Sequence, residues 1–145
     1  MARPEVPDTT VFIQFFRSSR GETELFRAIA GGQLWLSSVV IAELYAGTRS
    51  PDDARLLDRV VTVMRRIERI LTPTDEDWIK AGRLIGRRIR LAGALRPRDH
   101  LADVIILVSA AYLGGKVLTA NVRHYEAWAD LARSAGMDVM VEAAS

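Results

Sequence analysis

The chain has 145 residues, of which 49% are hydrophobic and 26% charged. This is the size and composition of one globular domain, which excludes a disordered or fibrous chain. The absence of cysteine excludes a disulfide framework, a thiolate metal site and a cysteine nucleophile. The N-terminal segment is not apolar, and the longest apolar run, 104–113, is too short to cross a bilayer. We therefore predict a single domain over residues 1–145, located in the cytoplasm and without membrane contact.

The net charge of +2 is unevenly distributed. Between Trp78 and Arg98 there are one Lys, six Arg and no acid, a sum of +7, so the rest of the chain sums to −5. Guanidinium groups suit contacts with phosphate. The segment 80–98 therefore predicts a path for nucleic acid, with Arg83, Arg87 and Arg90 as candidate RNA contacts. The alternatives are a solvated helix face and contact with an acidic partner protein.

Short apolar strands alternate with helices along the chain. In the first half the pattern predicts a strand end at 6–8, a helix capped by Asp8 or Thr9, a helix at 22–30, a strand at 34–36 and a helix at 39–45 capped by Ser37 or Ser38. A helix from Pro51 to 67, a strand at 70–71 and a helix that begins with 74–77 and ends at Gly93 follow. The last part predicts an apolar helix at 99–112, a strand at 116–119, a helix at 125–134 and a strand at 138–141. Such alternation predicts an α/β fold with a short parallel sheet between layers of helices.

Three acidic residues occupy comparable positions in this pattern. Asp8 follows the first strand, Glu43 lies on the helix after the second, and Asp103 lies near the start of the apolar helix that leads into the fourth. In a parallel sheet the carboxyl ends of the strands share one edge, so these acids are expected to meet there. Carboxylates that lie close together repel one another, and a divalent cation such as Mg²⁺ or Mn²⁺ compensates that charge. Such a site hydrolyses phosphodiesters with a metal-activated water.

Each acid also has a purely structural interpretation. Asp8 is equally well placed to cap the helix that follows it. Glu43 is ordinary on a solvated helix face. Asp103 is harder to explain in this way, because it borders a buried run in which an unpaired charge is costly.

Three segments in the same order resemble the PIN-domain nucleases, and in particular the VapC-type toxins of bacterial toxin–antitoxin pairs. They are VPDTTVFIQFFR (6–17), LSSVVIAELYAG (36–47) and LADVIILVSAAYLGGKVLTANVRHYEAW (101–128). The resemblance implies a PIN-like three-layer sandwich and an Mg²⁺- or Mn²⁺-dependent endoribonuclease, a hydrolase of RNA phosphodiester bonds. It also implies a cognate antitoxin and a homodimer as partners.

The resemblance assigns roles to single residues as well. Asp8, Glu43 and Asp103 would be the metal ligands, and the fourth catalytic position falls on Asn121, where many members have Asp. An amide in that place removes a negative charge and weakens a second metal site. Asp99, one turn before Asp103, is a replacement carboxylate or, as we prefer, the cap of its helix. Thr9 and Thr119 would be hydroxyl groups beside the ligands, with ordinary strand-end positions as the alternative.

Some aromatic and apolar residues were considered for partner binding. An antitoxin groove would use the early helices and the 51–67 helix, although such residues are more often core. The residues on the early helices are Phe12, Phe15, Phe16, Leu25 and Phe26. The three tryptophans, Trp35, Trp78 and Trp128, have the spacing of core or interface residues, and the helix beginning at 74–77 is expected to bury Trp78.

Two other functions compete with the nuclease. A receiver-like signalling domain also places acids at strand ends, but it needs an acidic pair after its first strand and a Lys after its last, and neither is present. A non-catalytic nucleic-acid-binding domain would use the basic segment 80–98 equally well. Catalysis by a histidine pair would require His100 and His124 to share one site, and we expect both to be structural or to contact substrate instead.

Overall fold

The computed structural model describes residues 2–144, and these residues form a parallel sheet flanked by helices. Its strands are β1 (Glu5–Pro7), β2 (Leu36–Ser37), β3 (Ile70–Leu71), β4 (Lys116–Thr119) and β5 (Met140–Ala143). Its helices are α1 (Thr9–Arg17), α2 (Gly21–Ala30), α3 (Ser38–Gly47), α4 (Pro51–Arg66), α5 (Asp75–Ala92), α6 (Pro97–Tyr112) and α7 (Val122–Ser134). The α/β sandwich predicted from the alternation is confirmed.

Two groups of strands make up the sheet. Strands β1, β4 and β5 pair in the order β1-β4-β5, and β2 pairs with β3, every pair being parallel. A parallel bridge between Glu5 and Leu34 joins the two groups. Its backbone hydrogen bonds run from the Glu5 amide to the Gln33 carbonyl and from the Trp35 amide to the Glu5 carbonyl, each 2.8 Å long. The carboxyl ends of the strands therefore face one edge of the fold.

The register of β1 and β4 decides where the first acid lies. Val6 pairs with Val117, both fully buried, and Pro7 pairs with Leu118. The backbone amide of Asp8 continues this ladder by donating to the Leu118 carbonyl at 2.9 Å. Asp8 and Thr119 thus leave neighbouring strands at the same level.

Helix α6 runs through the core. Its residues Val104–Ala110 are buried, and the single polar member, Ser109, donates its hydroxyl to the Ile105 carbonyl at 2.7 Å. This bond satisfies the hydroxyl, so an otherwise apolar helix carries it without an unpaired group. Asp103 lies directly before the buried run and is partly exposed.

Three helix starts follow the predicted capping chemistry. Asp8 caps α1 and Ser37 caps α3. Thr74 and Asp77 form a reciprocal capping box at the start of α5, where each side chain accepts from the backbone amide of the other. These caps satisfy amide groups that have no partner inside the helix.

Some predicted element boundaries are wrong. Helix α6 begins at Pro97. Proline suits the first helical position, because its φ is already helical and because the amide hydrogen that it lacks would have no partner within the helix. Asp99 is therefore within the first turn, and Arg96, not Asp99, occupies the cap position. Helix α7 begins at Val122, before the predicted 125, and β5 begins at 140, after the predicted 138.

Burial corrects two interpretations of aromatic and apolar residues. Trp78 was expected on the buried side of α5 with Ala81 and Ile85; those two are buried, but Trp78 is 46% exposed. Phe12 and Leu25 are core residues, at most 1% exposed, and are not available to a partner. Phe15, Phe16 and Phe26 are only partly buried. Among residues 2–144, no helix has the length and hydropathy needed to cross a membrane.

Candidate metal centre

Asp8 is a buried carboxylate with a full set of donors. It is 5% exposed, and its Oδ2 accepts the Thr119 hydroxyl at 2.7 Å. Its Oδ1 accepts the Thr10 hydroxyl and, at 3.4 Å, the Val11 amide. A carboxylate is stable in so buried a position only with such hydrogen bonds. The side chain thus caps the helix and also holds carboxylate oxygens in a fixed position at the sheet edge. Its interpretations as a cap and as a metal ligand are therefore compatible.

Glu43 reaches the same edge from helix α3. Its Oε1 accepts the hydroxyl of Thr9, the first residue of α1, at 2.7 Å. Glu43 itself is exposed. The hydroxyl of Thr9 therefore connects the carboxylate on α3 with the residue that follows Asp8 in sequence.

Asp103 is held by two neighbouring residues of α7. The Tyr125 hydroxyl donates to its Oδ1 at 3.1 Å, and His124 Nε2 lies 2.8 Å from its Oδ2. One partner on each oxygen fixes the plane of the carboxylate. The side chain of Asp103 is 36% exposed and that of His124 is 29% exposed, so this pair is open to solvent.

Tyr125 contributes a buried, protonated hydroxyl to the site. Burial is the largest cause that raises its pKa above the ordinary value, followed by the charge of Asp103 and then that of Asp8, with Glu43 a smaller contributor. Each charge lies near enough to disfavour a phenolate at the same hydroxyl. Tyr125 therefore remains a protonated donor to Asp103. The sequence did not single out this residue, because its position resembles the buried face of an amphipathic helix.

The donor set fits a divalent cation in kind. Carboxylates such as Asp8, Glu43 and Asp103 are the hard oxygen ligands that Mg²⁺ and Mn²⁺ prefer. Among residues 2–144, no three acidic or histidine side chains lie close enough together to enclose an ion as they stand. The metal site therefore remains a prediction, supported by the chemistry of its ligands.

The remaining candidates near the acids differ in position. Thr119 is fully buried and accepts the Asn121 amide at 2.9 Å while it donates to Asp8. Asn121 is exposed and precedes α7 without a side-chain capping bond. Asp99 is exposed, and its side chain has no hydrogen bond to the other described residues. Thr119 and Asn121 thus belong to the edge that bears Asp8, and the accessory role of Asp99 stays a prediction.

The two histidines do lie together, which the sequence could not reveal. Their rings stack with centroids 6.0 Å apart, and the His100 ring also lies 5.5 Å from that of Trp128. His100 Nδ1 is buried and has no hydrogen-bond partner within the described part of the chain. Arg88 covers the Trp128 ring at 4.6 Å. The row of planar groups formed by Arg88, Trp128 and His100 therefore ends at the ring of His124.

Arg83, Arg87 and Arg90 line one cleft, as a common face of α5 requires. The cleft extends to Tyr112 at the C-terminal end of α6 and to Asp138, which precedes β5. The acids instead lie near the carboxyl ends of the strands. These arginines are thus brought together with one another and not with Asp8 or Glu43.

Comparison with known proteins relates this arrangement to one family. A family model described as PIN domain matches residues 6–129. No curated protein has significant sequence similarity to the chain.

Solved structures match nearly the whole chain in fold. DNA-bound VapBC from Salmonella typhimurium has a TM-score of 0.68 and 21% identity, covering 99% of this chain and 98% of that one. FitAB bound to an IR36 DNA fragment has a TM-score of 0.66 and 18% identity, covering 96% and 94%. VapBC2 from Rickettsia felis, bound to a DNA fragment from its promoter, has a TM-score of 0.63 and 14% identity, covering 97% and 98%. At these identities the likeness concerns the fold.

Proposed function

Since the chain belongs to the PIN-domain family, we propose that it is a metal-dependent endoribonuclease, the toxin of a type II toxin–antitoxin pair. Mg²⁺ or Mn²⁺ would be held by Asp8, Glu43 and Asp103. When bound, such an ion activates water and stabilises the charge that develops at phosphorus. The observation that carries this proposal is the buried Asp8 carboxylate at the end of β1, held by Thr10 and Thr119, with Glu43 bonded to the adjacent Thr9.

The residues around the acids have distinct tasks in this proposal. Thr119 and Thr10 hold Asp8 in a single orientation by donating to opposite oxygens. His124 and Tyr125 do the same for Asp103. A ligand whose orientation is fixed in advance loses less freedom when an ion or a phosphate group binds. Asn121 would contribute an amide oxygen at the place where many family members have a carboxylate.

The proposed partners are RNA, a cognate antitoxin and a second copy of the chain, all in the cytoplasm. Antitoxin binding is supported by the solved neighbours, whose names describe VapBC and FitAB complexes bound to DNA. Phe15, Phe16 and Phe26 are the partly buried aromatic residues of α1 and α2 that remain available to such a partner.

The proposal is tested by cleavage of a mixed RNA pool with Mg²⁺, with Mn²⁺ and with EDTA. We expect cutting that requires the metal and that disappears in Asp8→Asn. The control is Asp130→Asn, which removes an exposed carboxylate of α7 that pairs only with Arg133. Equal cutting by wild type and Asp8→Asn, each shown to be folded by circular dichroism, would refute the assignment.

The competing function is a non-catalytic nucleic-acid-binding domain that uses the 80–98 segment. It is favoured by the cleft that Arg83, Arg87 and Arg90 share. A non-catalytic binding domain would bind RNA without cutting it, and neither EDTA nor Asp8→Asn would change its affinity for RNA. The purified chain must first be shown to be free of bound antitoxin, since an inhibited nuclease gives the same result.

A further inference from the structure

A basic cleft of about 520 Å³ lies between α5, the C-terminal end of α6 and the loop that joins α7 to β5. One wall carries Lys80, Arg83, Arg87 and Arg90. Their spacing along α5 places the four side chains on one face, over about 15 Å of helix. A row of cations of this length suits an extended polyanion better than a single phosphate group.

The basic cleft keeps a net positive charge, because its lining has four cations and only two acids. Its two acidic residues are already engaged, Asp77 with the Thr74 amide at 3.0 Å and Asp138 with Arg3 at 2.9 Å. No ion pair within residues 2–144 involves any of the four cations. Three of them therefore keep all their donors for a ligand, while Arg87 donates to the Ser134 hydroxyl at 3.0 Å.

The opposite wall is apolar and carries an aromatic ring. Val108, Ala111 and Met137 line it together with Tyr112, which is 71% exposed. Single-stranded nucleic acid is held by cations along its backbone and by aromatic rings on which its bases stack. An acidic peptide would use the arginines but has no need of the ring. The two walls together therefore favour single-stranded RNA.

The basic cleft lies beside the candidate metal centre and not within it. Asp103 and Tyr112 are nine residues apart on α6, about 14 Å along its axis. Because a short connection joins α5 to α6, the two helices run antiparallel. The Arg90 end of the row is thus level with the half of α6 that carries Asp103, and the Lys80 end is level with Tyr112.

We propose that the basic cleft binds the single-stranded RNA segment that flanks the cut site. Its phosphates contact Lys80, Arg83, Arg87 and Arg90, and one base stacks on Tyr112. The inference rests on RNA as the substrate in the proposed function and adds a second contact region outside the acids. Affinity for RNA then depends on residues that do not touch the reacting phosphate.

The test is the affinity for a labelled 12-nucleotide oligouridine, measured by fluorescence anisotropy at several salt concentrations. Asp8→Asn is used as the background so that the RNA stays intact. Adding Arg83→Gln should weaken binding and lower the slope of log affinity against log salt by about 0.7, the value for one phosphate contact on a single strand. Adding Tyr112→Leu should weaken binding about fivefold and leave the slope unchanged.

The matched control is Arg66→Gln, the same change at an exposed arginine of α4. It should alter neither affinity nor slope. The side chains of Arg83, Tyr112 and Arg66 are exposed, so circular dichroism should show the same fold as the Asp8→Asn background.

Two results would overturn the proposal. One is oligouridine affinity that neither Arg83→Gln nor Tyr112→Leu changes. The other is binding of a polyglutamate peptide that depends on Arg83 while RNA binding does not, which would assign the cleft to an acidic protein. Failure of the proposed nuclease is a separate outcome, because RNA cleavage by the wild type is measured independently of cleft-dependent binding.

Discussion

Thr119→Val tests how the buried carboxylate of Asp8 is stabilised. Valine retains the shape of threonine but removes the hydroxyl, which donates to Asp8 at 2.7 Å and accepts the Asn121 amide at 2.9 Å. A hydrogen bond to a charged group contributes about 1.5–3 kcal/mol, and a buried group left without a partner costs about 1–3 kcal/mol. The Asn121 amide is only partly buried, so water replaces much of its lost bond. We expect the free energy of unfolding to fall by about 2–3 kcal/mol.

The measurement is urea unfolding followed by circular dichroism at pH 7. With a slope of about 2 kcal/mol per molar urea, the midpoint should fall by roughly 1 M. In an Asp8→Asn background the same substitution should cost about 1 kcal/mol less, because the partner is no longer charged.

The matched control is Thr62→Val on α4, whose hydroxyl donates only to the Asp58 carbonyl in its own helix. Since Thr62 is exposed, its loss should stay within about 0.5 kcal/mol. An equal midpoint shift in both valine variants, or the absence of coupling with Asp8, would refute the reasoning.

Three further predictions concern packing, alkaline stability and the Asp103 carboxylate. Gly21→Ala should be strongly destabilising in thermal unfolding, because a Cβ there would lie 1.5 Å from the Phe15 carbonyl oxygen, whereas Gly82→Ala, where nothing lies within 4 Å, should stabilise by about 0.5–1 kcal/mol; a similar effect of both would contradict the packing. The raised pKa of Tyr125 means that the folded chain keeps a proton which the unfolded chain releases near pH 10, so this contribution to stability is complete below pH 10 and is lost above it. Urea unfolding at pH 9 and pH 11 should therefore show a smaller alkaline loss in Tyr125→Phe than in wild type, and an identical loss would count against the buried, protonated hydroxyl. His124→Leu should lower kcat for RNA cleavage more than it raises KM, because it removes the partner of one Asp103 oxygen; an unchanged kcat would show that the pair does not position the carboxylate.

Local chemistry was enough to predict the fold and the first acid. Ser37 or Ser38 was predicted as a cap and 74–77 as a helix start from their neighbours in sequence, and the structure has Ser37 and Thr74 as the caps of α3 and α5. The alternation of strands and helices predicted a parallel sheet, and that sheet places Asp8 at the end of β1. These features depend on residues a few positions apart, which is why the sequence alone reveals them.

The supporting shell of the site depends on tertiary packing and was not predictable. Tyr125 contacts Asp103 only because α7 packs on α6, and its hydroxyl gives no signal in an amphipathic pattern. The stack of His100 on His124 has the same origin. Trp78 was misassigned because apolar periodicity indicates which face is hydrophobic but not how far the neighbouring elements cover it.

Asp8, Glu43 and Asp103 are proposed to bind one divalent cation together, and this is tested by Mn²⁺ titration of the purified chain. Binding is followed by electron paramagnetic resonance in wild type, Asp8→Asn, Asp103→Asn and the control Asp130→Asn. We predict that Mn²⁺ binds the wild type and Asp130→Asn equally and binds the other two variants about tenfold or more weakly. Equal Mn²⁺ affinity in all four proteins would contradict the account.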